Sequence, residues 1–178
     1  MRKGDKMVKK IALLLASTVV LMAGELVLDT SKSEAYYEAK KDQFFSTYTI
    51  LAINKGLNGS LVKLPGGYRG SLSIDVFSFD SKDERRDDNV EGYLNAENYK
   101  LMTYKYELRD KEARGIMTIN GVSKTITFPV TMKEENAQLF VEGKITIKYT
   151  DFGIETPSNL ILSAHDDLVI GAKLYFNK

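Results

Sequence analysis

Beyond residue 24 the chain alternates apolar and polar positions with a period of two. Residues 138–149 place Leu139, Val141, Ile145 and Ile147 on one face and Glu142, Lys144, Thr146 and Lys148 on the other, the signature of a strand with one buried side. Thr125–Met132 repeats the pattern with Ile126, Phe128, Val130 and Met132 inward. Lys100–Leu108 sets Met102, Tyr104, Tyr106 and Leu108 opposite Lys105 and Glu107, and Ser71–Val76 offers Leu72, Ile74 and Val76. Residues 168–176 group Leu168, Ile170, Ala172, Leu174 and Phe176. Turn chemistry falls between these runs at Pro65-Gly-Gly67, Asn120-Gly121 and Glu134-Glu-Asn136. Asn120-Gly121 supplies the positive φ angles of a tight hairpin. Pro129 lacks an amide donor, so its strand is expected at an edge, bulged or locally open.

One stretch breaks the β pattern. Asp80–Asn98 is too polar for a strand, and Val90, Tyr93 and Leu94 have helical spacing, which predicts a loop with one or two helical turns. Short antiparallel strands with one apolar face fit a sandwich or a barrel. No linker, repeat or low-complexity segment divides the chain, so one domain is expected.

The N-terminus has a different character. Basic residues in Met1–Lys10 lead into thirteen apolar or small residues, Ile11–Ala23. That is the order of an export signal, and it is short of the about 20 residues a membrane-spanning helix needs. We expect residues 1–23 to be a signal peptide cut near Ala23, and 24–178 to be the mature domain in the periplasm. The alternative is a permanent anchor running through Leu26-Val-Leu28, which Glu25 interrupts. Ser33-Glu-Ala35 has a better small-x-small pattern but falls in the expected first hairpin. Met7 offers a second, tighter start.

Removing the signal takes away a net charge of +4 and turns the formal +1 of the chain into about −3. A mildly acidic domain has no electrostatic case for nucleic acid. The absence of cysteine excludes disulfides, thiolate metal sites and thiol nucleophiles.

Catalytic chemistry is sparse. His165 is the one histidine, and Asp166 or Asp167, its neighbours on a strand, would point away from it. No Gly-x-Ser-x-Gly elbow or phosphate-binding glycine loop is present. His165-Asp-Asp167 reads as a polar turn before the last strand. Asp80, Asp83, Glu84, Asp87 and Asp88 lack calcium-loop spacing and read as a solvated cluster paired with Lys82, Arg85 and Arg86. No metal or cofactor is expected. What remains is the apolar face, rich in the chain's ten tyrosines and eight phenylalanines. Composition leaves open whether these fill the interior or line a cavity.

Several ordered stretches resemble the YceI family of exported polyisoprenoid-binding proteins. They are Leu26-Val-Leu-Asp-Thr-Ser-Lys-Ser33, Arg86-Asp87 with Leu94 and Tyr99, Ile119–Val130, Asp151-Phe-Gly-Ile154 and His165–Ile170. Together they span about residues 25–176. The chain departs from the family at Lys148-Tyr-Thr150, where an arginine is usual, and at the glycine-rich region 54–70.

The resemblance implies an all-β fold: a single eight-stranded antiparallel lipocalin-like β-barrel with a short helical segment. It also implies a non-catalytic carrier for an isoprenoid, a quinone or another long-chain amphiphilic lipid. The expected ligand contacts are Leu72, Ile74, Met102, Tyr104, Tyr106, Phe128, Val141, Ile145 and Phe176, with tyrosine hydroxyls orienting a polar head. Arg86 and Asp87 would fix the loop at one end of the barrel. Transient contact with a membrane or a membrane redox protein is a family-level expectation, and a homodimer is left open. The rivals are an enzyme, which would need convergent polar groups in the channel, and a structural protein with a packed barrel and no cargo.

Overall fold

A computed structural model describes residues 24–43, 45–155 and 162–178. The expected signal peptide and its cleavage site lie outside the described residues.

Eleven strands form one antiparallel sheet: β1 (Glu25–Leu28), β2 (Glu34–Gln43), β3 (Ser46–Asn54), β4 (Leu57–Leu64), β5 (Gly67–Asp75), β6 (Phe79–Asp80), β7 (Leu101–Arg109), β8 (Glu112–Ile119), β9 (Val122–Glu135), β10 (Gln138–Lys148) and β11 (Leu162–Asn177). One helix, α1 (Glu84–Tyr93), lies between β6 and β7. Three pairs of strands are interrupted staves. β1 and β2 both lie antiparallel to β11, β4 pairs with β1 as β3 pairs with β2, and β5 pairs with β4 as β6 pairs with β3. The result is eight staves in up-and-down order, closed where Val27 meets Asn177 and Leu28 meets Phe176. Closure removes the free edges that an open sheet would present.

The interruptions have specific causes. After β1, the Asp29 carboxylate accepts the Ser31 amide and hydroxyl, and the Asp29 carbonyl accepts the Ser33 amide. This loop carries the Leu26–Ser33 resemblance. Between β3 and β4, buried Asn54 donates to the Asp75 carbonyl at 2.8 Å and accepts the Gly56 amide at 2.9 Å. Asp75 then caps a 3₁₀ turn, Val76–Ser78, by accepting the Phe77 amide. These breaks fall side by side, so β2, β3 and β6 leave the closed barrel and extend its wall at one end.

The turns explain the register. Asn120 and Gly121 both have positive φ, as expected, and so do Asp110 with Lys111 and Asn136 with Ala137. Positive φ at both central residues is the twist-matched hairpin geometry. Pro65-Gly66 closes β4 to β5 with only Gly66 at positive φ. The β4–β5, β7–β8 and β9–β10 turns share one end of the barrel with both termini of the described domain. Leu61, Leu108, Leu139 and Phe176 are fully buried there and pack that end shut.

The opposite end is open. β9 pairs with β10 only as far as Val130 and Gly143, so residues 122–129 of β9 and 144–148 of β10 separate. Pro129 sits at this fork. The Val130 amide donates to the Lys111 carbonyl on the β8 side, so the proline nitrogen faces the gap. The expectation of a locally open strand is met. The segment after β10 partly fills the fork: Phe152 is buried, and Asn120 Nδ2 donates to the carbonyls of Phe152 and Gly153 at 3.4 Å. The Asp151-Phe-Gly-Ile154 stretch is therefore a structural plug, with Gly153 at a φ of 67°.

Two expectations are corrected. His165-Asp-Asp167 does not precede the last strand but forms a bulge inside β11, between Ala164 paired to Lys41 and Leu168 paired to Ala39. Asp166 from this bulge accepts the amide and hydroxyl of Thr150 at 3.1 and 2.9 Å and so ties down the plug. The helix is also longer than one or two turns, because Asp83 caps it by accepting the Arg86 amide and Asn95 ends it at a φ of 50°.

Candidate functional site

Inward-facing positions near the open end are small on β2 and β11: Ala39 and Ala164 stand where the packed end has leucine and phenylalanine. Small side chains on converging staves leave space. A cavity of about 640 Å³ fills it, within the usual range of about 300–1,000 Å³ for small-molecule sites. Its wall is Tyr37 and Ala39 of β2, Ile50 of β3, Phe79 of β6, Ile147 of β10 and Leu168 of β11, with Val90 of α1 and Leu94 just past its end above and Tyr149 and Ile154 of the plug at the side. Exposed Tyr48, Arg85, Asn89 and Tyr93 also line it, so it opens to solvent between the β2–β3 hairpin and α1.

Met102 and Ile170 form the floor and also line a second, smaller cavity of about 70 Å³ in the barrel centre. The inner cavity holds the volume of about two water molecules. Around it Tyr104 stacks on Tyr106 and Phe128, with ring centroids 4.8 and 5.7 Å apart. Phe128 lies against Gly143, where a Cβ would come within 2.8 Å of its ring.

Of the nine side chains expected at the ligand, Leu72, Ile74, Met102, Tyr104, Tyr106, Phe128, Val141 and Ile145 line the inner cavity. Only Met102 reaches the larger one. Phe176 lines neither and belongs to the packed end. Sequence reasoning missed Tyr37, Ile50, Phe79 and Tyr149. The alternation of Ala35, Tyr37, Ala39 and Lys41 was the available signal, and the flanking charges obscured it.

The Tyr37 and Tyr106 hydroxyls and the Arg86 Nε are buried without a hydrogen-bond partner. Tyr104 donates to the Ile126 carbonyl at 3.2 Å. Burial pushes the Tyr104 and Tyr149 phenols up to about 12 and Tyr37 and Tyr106 higher still. All four are neutral near pH 7. His165 lines neither cavity, and its Nε2 lies 3.0 Å from Asp42 Oδ2.

Arg86 and Asp87 do different things. Asp87 accepts the Ser81 amide with both carboxylate oxygens and holds the loop before α1. Arg86 pairs with Asp83 at 3.1 Å and lines the large cavity. Asp80 pairs with Lys82. Among the described residues no group of three or more His, Cys, Asp or Glu side chains could hold a metal ion.

None of the curated proteins matches the chain. Among solved structures, BcnA of Burkholderia cenocepacia superposes with a TM-score of 0.71 at 23% identity, covering 83% of this chain and 98% of its own. A polyisoprenoid binding domain from Saccharophagus degradans, implicated in plant cell wall breakdown, gives 0.69 at 14% identity, with 85% and 97% covered. A Campylobacter jejuni YceI protein gives 0.64 at 17%, with 77% and 90% covered. At these identities the likeness establishes the shared fold. The family model of the YceI-like domain matches residues 26–176, nearly all of the barrel, and the chain belongs to that family.

Proposed function

We propose that the protein is a non-catalytic periplasmic carrier that holds a polyisoprenoid, a quinone or another long-chain amphiphilic lipid. The observation that carries this reading is the apolar cavity of about 640 Å³ at the open end of an otherwise packed barrel. Family membership supports it, as does the description of the Saccharophagus relative as a polyisoprenoid binding domain.

Burying a lipid chain gains about 0.8 kcal/mol per CH₂. Ten carbons between Tyr37, Phe79, Leu168 and the Met102 floor would therefore gain on the order of 8 kcal/mol, before the cost of association. No reacting group is needed for that task, and the buried phenols around the space are neutral. Export by residues 1–23 would deliver the carrier to an aqueous compartment beside a membrane, and transient membrane contact would load it.

Native mass spectrometry of the protein purified without detergent, followed by solvent extraction, tests the proposal. A stoichiometric adduct released as a long-chain lipid is the expected result. A homogeneous ligand-free mass that also takes up no added quinone or polyprenyl lipid would overturn it in favour of a structural barrel without cargo.

A further inference from the structure

We infer that the open-end cavity takes an amphiphile with a negatively charged head, a phosphate or a carboxylate, in preference to one with a neutral head; this rests on the lipid-carrier reading above. Four cationic side chains line the cavity, Lys40 and Lys41 from β2 and Arg85 and Arg86 from α1, against a single carboxylate, Asp83. Asp83 is already engaged, since its Oδ1 accepts the Arg86 amide and its Oδ2 an Arg86 guanidinium N–H, each at 3.1 Å. Among the described residues, Lys40, Lys41 and Arg85 have no ion-pair partner. Asp87, next to Arg86, accepts the Ser81 amide and does not line the cavity.

Two features make this more than an exposed basic patch. Lys41 continues the inward series Ala35, Tyr37, Ala39 and lines the same apolar space, a position where an unpaired charge is unfavourable. Farther in, the hydroxyl of Tyr37, a residue only 6% exposed, and the Nε of Arg86 are buried without acceptors. Buried donors almost always find a partner. An anionic head placed between β2 and the start of α1 supplies the acceptor both donors lack and the counter-charge that Lys40, Lys41 and Arg85 lack. Its tail would then run inward past Phe79 and Leu168 toward Met102 and Ile170.

The test pairs ligands of equal chain length on the delipidated full-length protein: geranylgeranyl phosphate against geranylgeraniol, and oleic acid against oleyl alcohol. Tryptophan is absent, so calorimetry or native mass spectrometry serves as the readout. Each anion is expected to bind at least tenfold more tightly than its alcohol. The variant K41Q/R85Q should erase that preference, while K105Q/K133Q, on outward-facing exposed lysines of β7 and β9, should retain it. Raising salt should narrow the preference, because the mouth is open to solvent. Equal binding of anion and alcohol, unchanged by K41Q/R85Q, would overturn the inference and leave lipid carriage standing. No binding of any of the four would overturn both. If inorganic phosphate alone displaced the lipids as well as the lipid phosphate does, the site would be one for a free anion, and the inference would fall.

Discussion

The Ser33 hydroxyl accepts the Tyr175 amide at 2.9 Å, and the side chain that does so is fully buried. The Tyr175 amide is thereby satisfied at the gap between β1 and β2, where neither strand pairs with it. The Asp29 amide donates to the Tyr175 carbonyl at 2.7 Å, so the residue is held on both sides of the loop. Ser33→Ala leaves a buried amide unpaired, which costs about 1–3 kcal/mol. For a domain of this size that corresponds to a fall in melting temperature of about 2–4 °C for each kcal/mol. Thermal unfolding followed by circular dichroism reads it directly, and an unchanged midpoint would show that the loop is not a structural joint.

Two glycines should respond to alanine in opposite senses. A Cβ on Gly115 would overlap the Lys105 carbonyl and approach Tyr106 Cα within 2.6 Å. Both obstacles are backbone of the neighbouring strand, so β7 and β8 would have to part, and Gly115→Ala should destabilise by several kcal/mol or abolish folding, by about the largest margin seen for single substitutions. Gly92 lies in the last turn of α1, and nothing stands within 4 Å of where an added methyl would sit. Gly92→Ala should stabilise by about 0.5–1 kcal/mol through reduced freedom of the unfolded chain. Denaturant midpoints of the two variants measure both effects, and a shared direction would contradict this reading of the packing.

How far the sequence announced this molecule depends on where each constraint originates. The inward faces of β7 and β10 were legible because Met102, Tyr104 and Tyr106, or Val141, Ile145 and Ile147, alternate with charged or hydroxylated residues over whole strands. The Asn120-Gly121 turn was legible because its φ angles are a local property. The Asp110-Lys111 turn was not, since nothing in those two residues demands a hairpin until β7 and β8 pair. The breaks at Ser33 and Asn54 depend on partners far along the chain, Tyr175 and Asp75. The large cavity was least legible. An inward alanine such as Ala39 packs tightly or borders a void according to what stands opposite, and here α1 and the plug span the space without filling it.

Acid should loosen the plug through one carboxylate. The Thr150 amide bonded to Asp166, aided by the Thr150 hydroxyl and Lys148, holds the Asp166 carboxyl below its ordinary value, with partial desolvation opposing. A carboxylate depressed in the folded state contributes stability that is full above its unfolded pKa and lost as pH falls through the folded one. Protection of the Thr150 amide, measured against its intrinsic exchange rate at each pH, should therefore be high at neutral pH and fall on acidification below the ordinary carboxylate range. Asp166→Asn should exchange faster at neutral pH and show little further acid response. If the wild-type amide exchanged at the same opening equilibrium across that range, Asp166 would not be what fastens the plug.

Filling the cavity should separate binding from folding. Ala39 is buried on the β2 wall and faces the void, so Ala39→Phe places a ring in existing space instead of forcing one into packed core. Stability should fall by no more than about 1–3 kcal/mol, the usual cost of a small-to-large substitution, while lipid uptake falls by tenfold or more. Leu108→Ala makes the converse test. Leu108 is fully buried toward the packed end and borders only the small inner cavity, so its truncation should cost about 2–5 kcal/mol and leave occupancy of the large cavity intact at temperatures where the variant is folded. Titrating one lipid into both variants, with thermal midpoints measured beside the binding curves, decides the matter. If Ala39→Phe bound like the wild type, the cargo would not occupy the open-end cavity. If Leu108→Ala alone lost binding, the cargo would reach into the barrel centre, through the floor formed by Met102 and Ile170.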